Sequence, residues 1–249
     1  MILEIDAGNT RLKWRLLTNS SEVCDAGNLM LDAGTSDFLV KNARFSEVSG
    51  LRFSSVTKGR RIEELYLSLR GAFGGNSHYL AKADKEMLGV SFAYEEISRL
   101  GVDRCLAMVA AYHRYPEGVL VLDCGSAITV DYVDGAGGHL GGYILPGYSM
   151  LRSSLLAGTS QIELQQEVEV SVALGKSTEE CVNNGVHLLL LSALSSCEVL
   201  AREQGITEFV VTGGDAFLLS KLALSSYKHH PDLVFEGLGL MSPFVKTAV

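Results

Sequence analysis

The sequence predicts an α/β protein built as two similar halves. Three observations carry that prediction. Short apolar runs with strand character alternate with longer stretches of helical spacing. The segments "ILEIDAGNTRLKW" and "VLVLDCGSAITVD" repeat one strand–turn–strand pattern, and their Asp6 and Asp123 stand 117 residues apart. That distance is close to half of the 249 residues and sets a boundary near Pro116–Gly118, giving halves of 1–117 and 118–249.

In chain order, residues 2–6 and 12–17 are strands joined by "DAGNTR", where Gly8 and Asn9 tolerate the positive φ of a tight turn. "EVSGLRFSSVT" is strand-like. "GRRIEELYLSLRGAFG" places Ile62, Leu65, Leu69 and Phe73 at helical spacing, with Gly71 and Gly74–Gly75 as stops. "CLAMVAAYHRYP" is a buried helix ended at Pro116. "GVLVLDCGSAITVDYVDGAGGHLGGYILPG" gives three strands and two turns. "YSMLRSSLLAGTSQ" is helical, with Met150, Leu151, Leu155 and Leu156 as one buried face. "KSTEECVNNGVHLLLLSALSSCEVLAREQG" is a second helix, Leu188–Leu191 in its core, closed by Gly205. "EFVVTGGDAFLLSKLA" reads as strand, glycine turn and helix, and "PDLVFEGLGLMSPFV" as a strand followed by a helix or tail.

Composition narrows the function classes. Hydrophobic residues make up 47% and charged residues 20%, enough for packed cores without a signature of disorder. The net charge of −8 argues against a nucleic-acid binder that relies on a basic surface. Five cysteines without Cys-x-x-Cys spacing read as free thiols in a reducing cytoplasm. The six histidines show no metal-ligand pattern, and His229–His230 before Pro231 reads as a loop pair. Glu4 and Asp6 stand where a secretory signal needs an apolar run. The most apolar stretch, "GVHLLLLSALSS", falls short of the roughly 20 residues of a membrane span and reads as a core helix.

The repeated Asp-x-Gly turns carry the chemistry. Gly8 and Gly125 let the backbone approach a ligand, and turn N–H groups make a concave anion site. Asn9, Thr10 and Ser126 can hydrogen-bond phosphate oxygens, and Asp6 and Asp123 can hold a hydrated cation beside them. One such turn alone equally fits an aspartate that caps its own loop; two copies favour phosphate binding. Gly213–Gly214 leave room for a flat nucleotide base. Lys13 reads as a phosphate ligand or a solvated strand residue. Asp103–Arg104 reads as a charge pair at a helix start or as a base beside an anion grip.

This ordered set includes "DAGNT" at 6–10, "GVDR" at 101–104, "DCGSAIT" at 123–129, "GGYILPG" at 141–147 and "TGGDA" at 212–216. It resembles the acetate kinase, sugar kinase, Hsp70 and actin superfamily, and within it type III pantothenate kinase. The resemblance implies two ribonuclease H-like (actin-like ATPase) domains with an interdomain cleft that takes ATP. It implies ATP-dependent phosphorylation of pantothenate to 4′-phosphopantothenate, the first step of coenzyme A synthesis. Asp6, Ala7, Gly8, Asn9, Thr10, Arg11, Leu12 and Lys13 would form the first phosphate loop, with Asp6 on Mg²⁺. Ser126, where the family usually has Thr, would contact ATP together with Gly213 and Gly214. Asp123 would bind a monovalent cation, K⁺ or NH₄⁺. Asp103 matches the catalytic base, and Tyr94, Gly101, Val102, Asp103, Arg104 and Thr178 match pantothenate contacts. A homodimer is implied, without nucleic-acid or membrane partners. The alternatives are a kinase of the same superfamily acting on another small hydroxyl substrate, and an ATP-binding regulator without enzymatic activity.

Overall fold

The computed structural model describes residues 1–32, 34–74, 77–157, 169–217 and 226–242. They fall into two compact units. The first comprises Met1–Gly89, Tyr94–Ala110 and the segment from Leu233 onward; the second comprises Val90–Ala93 and Ala111–Asp232.

The first unit opens with β1 (Ile2–Ala7), β2 (Arg11–Leu17) and β3 (Val23–Met30), an antiparallel meander. Helix α1 (Thr35–Lys41) leads to β4 (Gly50–Ser55), which pairs parallel with β1. Helix α2 (Arg60–Leu69) runs into a π-turn over Arg70–Gly74, followed by β5 (His78–Leu80). The sheet order is β3-β2-β1-β4-β5. Leu3, Ile5, Leu12, Trp14, Phe45 and Phe53 fill its core, with the Trp14 and Phe45 rings edge to face at 5.1 Å. The short strands β6 (Glu86–Met87) and β7 (Val90–Ser91) precede α3 (Val102–Arg114).

Alternation along β1 turns Glu4 to the face opposite Leu3 and Ile5. Its carboxylate is fully buried and accepts from Arg15 Nε on β2 and from Arg52 Nη1 on β4 at 2.6 Å. The Arg15 guanidinium lies 4.8 Å over the Phe235 ring.

The second unit repeats the arrangement. Strands β8 (Gly118–Cys124), β9 (Ala127–Asp134) and β10 (His139–Pro146) form the antiparallel meander. Helices α4 (Tyr148–Ala157) and α5 (Thr178–Glu203) follow, then β11 (Glu208–Thr212), parallel to β8, and β12 (Tyr227–His229). The order β10-β9-β8-β11-β12 matches the first sheet strand for strand. The chain ends its described part with α6 (Leu233–Met241), which packs on β1 and β4.

Several expectations are corrected. The "PDLVF" run is the start of α6 rather than a strand; so short an apolar run cannot separate strand from buried helix. Gly237 lets α6 lie on the backbone of Leu106 in α3, where a Cβ would collide. His229 ends β12 rather than sitting in a loop, and the His230 ring meets the Tyr115 hydroxyl at 3.0 Å. In α5 the buried stripe is Asn183, Val186, His187, Leu190, Leu194, Cys197 and Ala201. A four-leucine run cannot all face one side of a helix, so Leu188 and Leu189 are more than half exposed. Met150 and Leu155 on α4 are exposed as well, while Leu151 packs on the core; the Leu156 side chain lies outside the described residues. Gly8, Asn9 and Gly125 keep negative φ, so the two hairpin turns do not use the left-handed region. Helix α5 has 26 residues and a mean hydropathy of 1.4 in its most apolar window, enough by length and composition to cross a membrane. Its buried stripe in the second core makes it a core helix. The helix expected after Gly214 extends into 218–225, outside the described residues.

Candidate active site

In the first unit, β1 delivers Asp6 to the carboxyl end of the central strand and the chain turns through Gly8, Asn9 and Thr10, closed by Gly8 N–H donating to Arg11 O at 2.9 Å. Asn9, Thr10, Arg11 and Lys13 are exposed. Ala7 and Leu12 are buried in the core, so only their backbone can meet a ligand. Asp6 pairs across β2 with Lys13 and across β4 with Ser54. Burial pushes its carboxyl above the usual range, against the Ser54 hydrogen bond at 2.8 Å and the Lys13 charge. Lys13 thus acts on Asp6 electrostatically from the neighbouring strand.

The acceptor segment belongs to the same unit. Asp103 stands in the first turn of α3, where the helix dipole favours a carboxylate. Its Oδ1 accepts the Arg104 N–H at 2.7 Å and fills the space over Gly101, where a Cβ would come within 2.5 Å of it. Gly101 is therefore the residue that lets the carboxylate fold back over the helix start. Arg104 is 6% exposed and donates through Nη1 to the Tyr94 hydroxyl at 2.8 Å, so this is not a solvated charge pair. Val102 is buried. Tyr94, Gly101, Asp103 and Arg104 are brought together as one local cluster.

The second unit holds the other turn. Its loop, Gly125–Ser126, is one residue shorter than the first, and Gly125 N–H donates to Ala127 O at 3.0 Å. Across the parallel strand Asp123 faces Thr212, as Asp6 faces Ser54. Gly213 follows at φ +95°, and Asp215 N–H donates to Cys124 O at 2.9 Å. The glycine turn is thus pinned to the Asp123 turn, while Gly214 is open to solvent. The Cys124 thiol is pushed up to about 12 by burial and by the charges of Asp123 and Asp215. Both carboxylates therefore lie close enough to Cys124 for their charges to act on its thiol. Gly147 closes the turn from β10: its N–H donates to Ser126 O at 3.1 Å, and a Cβ there would come within 2.6 Å of Gly125 O.

Thr178, also in the second unit, is the exposed first residue of α5, behind the Ser177 cap whose Oγ accepts Glu180 N–H at 3.2 Å. It lines a groove of about 770 Å³ with Leu151, Leu155, Val182, Val186 and Leu189. The sequence assigns no role to Ser54 and Thr57, which become visible only through the pairing of β1 with β4; Gly147 and Asp215 stand inside the GGYILPG and TGGDA motifs without a role of their own.

Known proteins resemble the chain in sequence and in fold. The family model described as type III pantothenate kinase matches residues 2–197. A type III pantothenate kinase of Marinobacter nauticus is 38% identical over 227 residues, 91% of this chain and 92% of that protein. That of Pseudomonas syringae pv. syringae is 38% identical over 251 residues, covering 98% and 99%. Among solved structures, a Baf family protein from Campylobacter jejuni aligns at TM-score 0.60 and 20% identity over 96% of both chains. A ROK family glucokinase from Streptomyces griseus, in complex with glucose and AMPPNP, aligns at TM-score 0.54 and 9% identity, covering 97% and 98%. These structures share the fold, two ribonuclease H-like α/β domains. With the family model spanning most of the chain and relatives matching nearly end to end, the chain belongs to the type III pantothenate kinase family.

Proposed function

We propose that the protein transfers the γ-phosphoryl group of ATP to the primary hydroxyl of pantothenate, giving 4′-phosphopantothenate for coenzyme A synthesis. The observation that supports this most is Asp103, intact at the head of α3 beside the Tyr94–Arg104 pair, in a chain that also keeps both aspartate turns. Phosphoryl transfer needs positioning and charge stabilisation more than covalent chemistry. In this reading Asp103 accepts the proton of the attacking hydroxyl. Tyr94, Gly101, Val102, Arg104 and Thr178 hold the acceptor. The first turn, Asp6 to Lys13, meets the outer phosphates, and Ser126, Gly213 and Gly214 meet the rest of the nucleotide.

Asp6 would hold Mg²⁺, which when bound neutralises phosphate charge. A partly buried carboxylate at the head of a turn of exposed donors fits that ion, which one or two carboxylates and the phosphates commonly hold. Asp123 would hold K⁺ or NH₄⁺, with Asp215 adding negative charge beside it. The exposed Met150, Leu155, Leu188 and Leu189 on α4 and α5 support a homodimer through that face. Five free cysteines fit a cytoplasmic enzyme.

ADP formation with a panel of hydroxyl acceptors tests the reading. ADP released only when pantothenate is present is the expected result. Preference for another acceptor would favour a different kinase, and ATP binding without turnover would favour a regulator.

A further inference from the structure

We propose that Ser54–Lys58, the end of β4 and the residues after it, form a strap that fixes the first phosphate turn relative to the acceptor segment. Thr57 is then the positioning residue on the nucleotide side and Lys58 on the acceptor side. This rests on the phosphoryl-transfer reading above and adds residues that neither the family motifs nor the sequence reading assigned.

The strap grips β1 residue by residue. Ser54 Oγ donates to Asp6 Oδ1 at 2.8 Å, and Ser55 Oγ reaches Ala7 O at 3.2 Å. Val56 N–H donates to the same Ala7 carbonyl at 3.2 Å. Thr57 Oγ1 lies 3.0 Å from Gly8 O and 3.2 Å from Asn9 Oδ1, spanning the turn itself. On its other side the strap holds the acceptor segment. Lys58 Nζ donates to Ser98 O at 2.9 Å, just ahead of Gly101 and Asp103. Val56 Cγ1 stands 3.7 Å from the place a Gly101 Cβ would occupy. One run of five residues therefore touches both halves of the chemistry in this unit.

Thr57 Oγ1 carries one proton with two acceptors in reach, Gly8 O the nearer and Asn9 Oδ1 the other, so it ties the turn through one of them at a time. In the second unit the corresponding stretch after Thr212 is Gly213–Gly214–Asp215, in which Gly213 packs on the Asp123 turn and Gly214 has open space beside it. The first unit fills that place with hydroxyls aimed at its own turn. Lys58 is exposed, so its bond to Ser98 contributes little stability, and its effect is on placement.

The test uses the full chain with Thr57→Val, Thr57→Ser and Lys58→Met, each checked for thermal midpoint. Binding of AMPPNP with Mg²⁺ is measured by calorimetry, and steady-state kinetics with pantothenate. Thr57→Val should weaken AMPPNP binding and raise KM for ATP about fivefold or more, the loss of one hydrogen bond. KM for pantothenate should stay within about twofold, and Thr57→Ser should restore ATP affinity. Lys58→Met should lower kcat/KM for pantothenate about fivefold while leaving AMPPNP affinity unchanged. Wild-type nucleotide affinity in Thr57→Val would overturn the strap, as would losses that merely track a lower thermal midpoint or a failed rescue by serine. A wild-type protein that binds AMPPNP but ignores pantothenate would overturn the functional reading instead. The Thr57→Val affinity would still decide the strap.

Discussion

Gly213 lies directly against Asp123: a methyl group on Gly213 would stand 2.5 Å from Asp123 Oδ1 and would also strike the Cys124 carbonyl. The same residue sits at φ +95°, which side chains other than glycine's rarely adopt. Gly213→Ala should therefore cost at least about 2 kcal/mol of stability from strain and overpacking together. On the cation role proposed for Asp123, it should also weaken activation by K⁺ or NH₄⁺, because Asp123 must move. Urea denaturation and a titration of activity against each salt would check both.

Asp103→Asn keeps the shape of the side chain over Gly101 but loses the carboxylate proposed as proton acceptor. Turnover of pantothenate should fall by at least about 10²-fold, the lower range for loss of a general base. AMPPNP affinity should remain that of the wild type. Near-normal turnover would remove Asp103 from the role of base.

The buried Glu4 carboxylate serves two arginines, Arg15 and Arg52. Removing its charge takes this buried carboxylate away from both guanidinium groups. Glu4→Gln should then destabilise the first unit by about 3–5 kcal/mol. Chemical denaturation followed by Trp14 fluorescence would report it, since Trp14 sits in that core.

His187 is fully buried, stacked on Tyr148 at 5.2 Å, with Nδ1 near Ser171 O at 3.2 Å. Burial holds its pKa below the usual 6.5. The unfolded chain therefore takes up the proton first as pH falls. Stability should be full above about pH 6.5 and decline below it, levelling off only under the lowered folded value. His187→Phe keeps a ring against Tyr148 and should flatten that decline, measured as thermal midpoint from pH 8 to pH 5.

What the sequence made legible was local. The two Asp-x-Gly hairpins could be seen because each turn lies between strands adjacent in sequence, and the repeat implied that β1–β2 and β8–β9 are alike. The partners of Glu4 could not, because Arg52 lies 48 residues away and meets it only through parallel pairing of β1 with β4. The hydroxyls of Ser54 and Thr57 were hidden for the same reason. The opening of α6 reads as a strand before a helix or tail because its apolar run is short, and the packing that makes it helical is with residues far earlier in the chain. In α5 the composition suggested burial all round, but only the period of the helix decides which leucines turn inward.

Helix α6 has a consequence for how the protein is made. It packs on β1 and β4, with Phe235 under Arg15 and Gly239 beside the Glu4–Arg52 pair, so a segment that follows the whole second unit in sequence covers strands that precede it. During synthesis the first sheet must wait for α6 with its ionic cluster uncovered. The stretch Ala111–Asp232 is continuous and can fold as it emerges. Vectorial folding would thus run backwards with respect to the usual order, the second unit closing before the first, which is complete only once α6 has emerged.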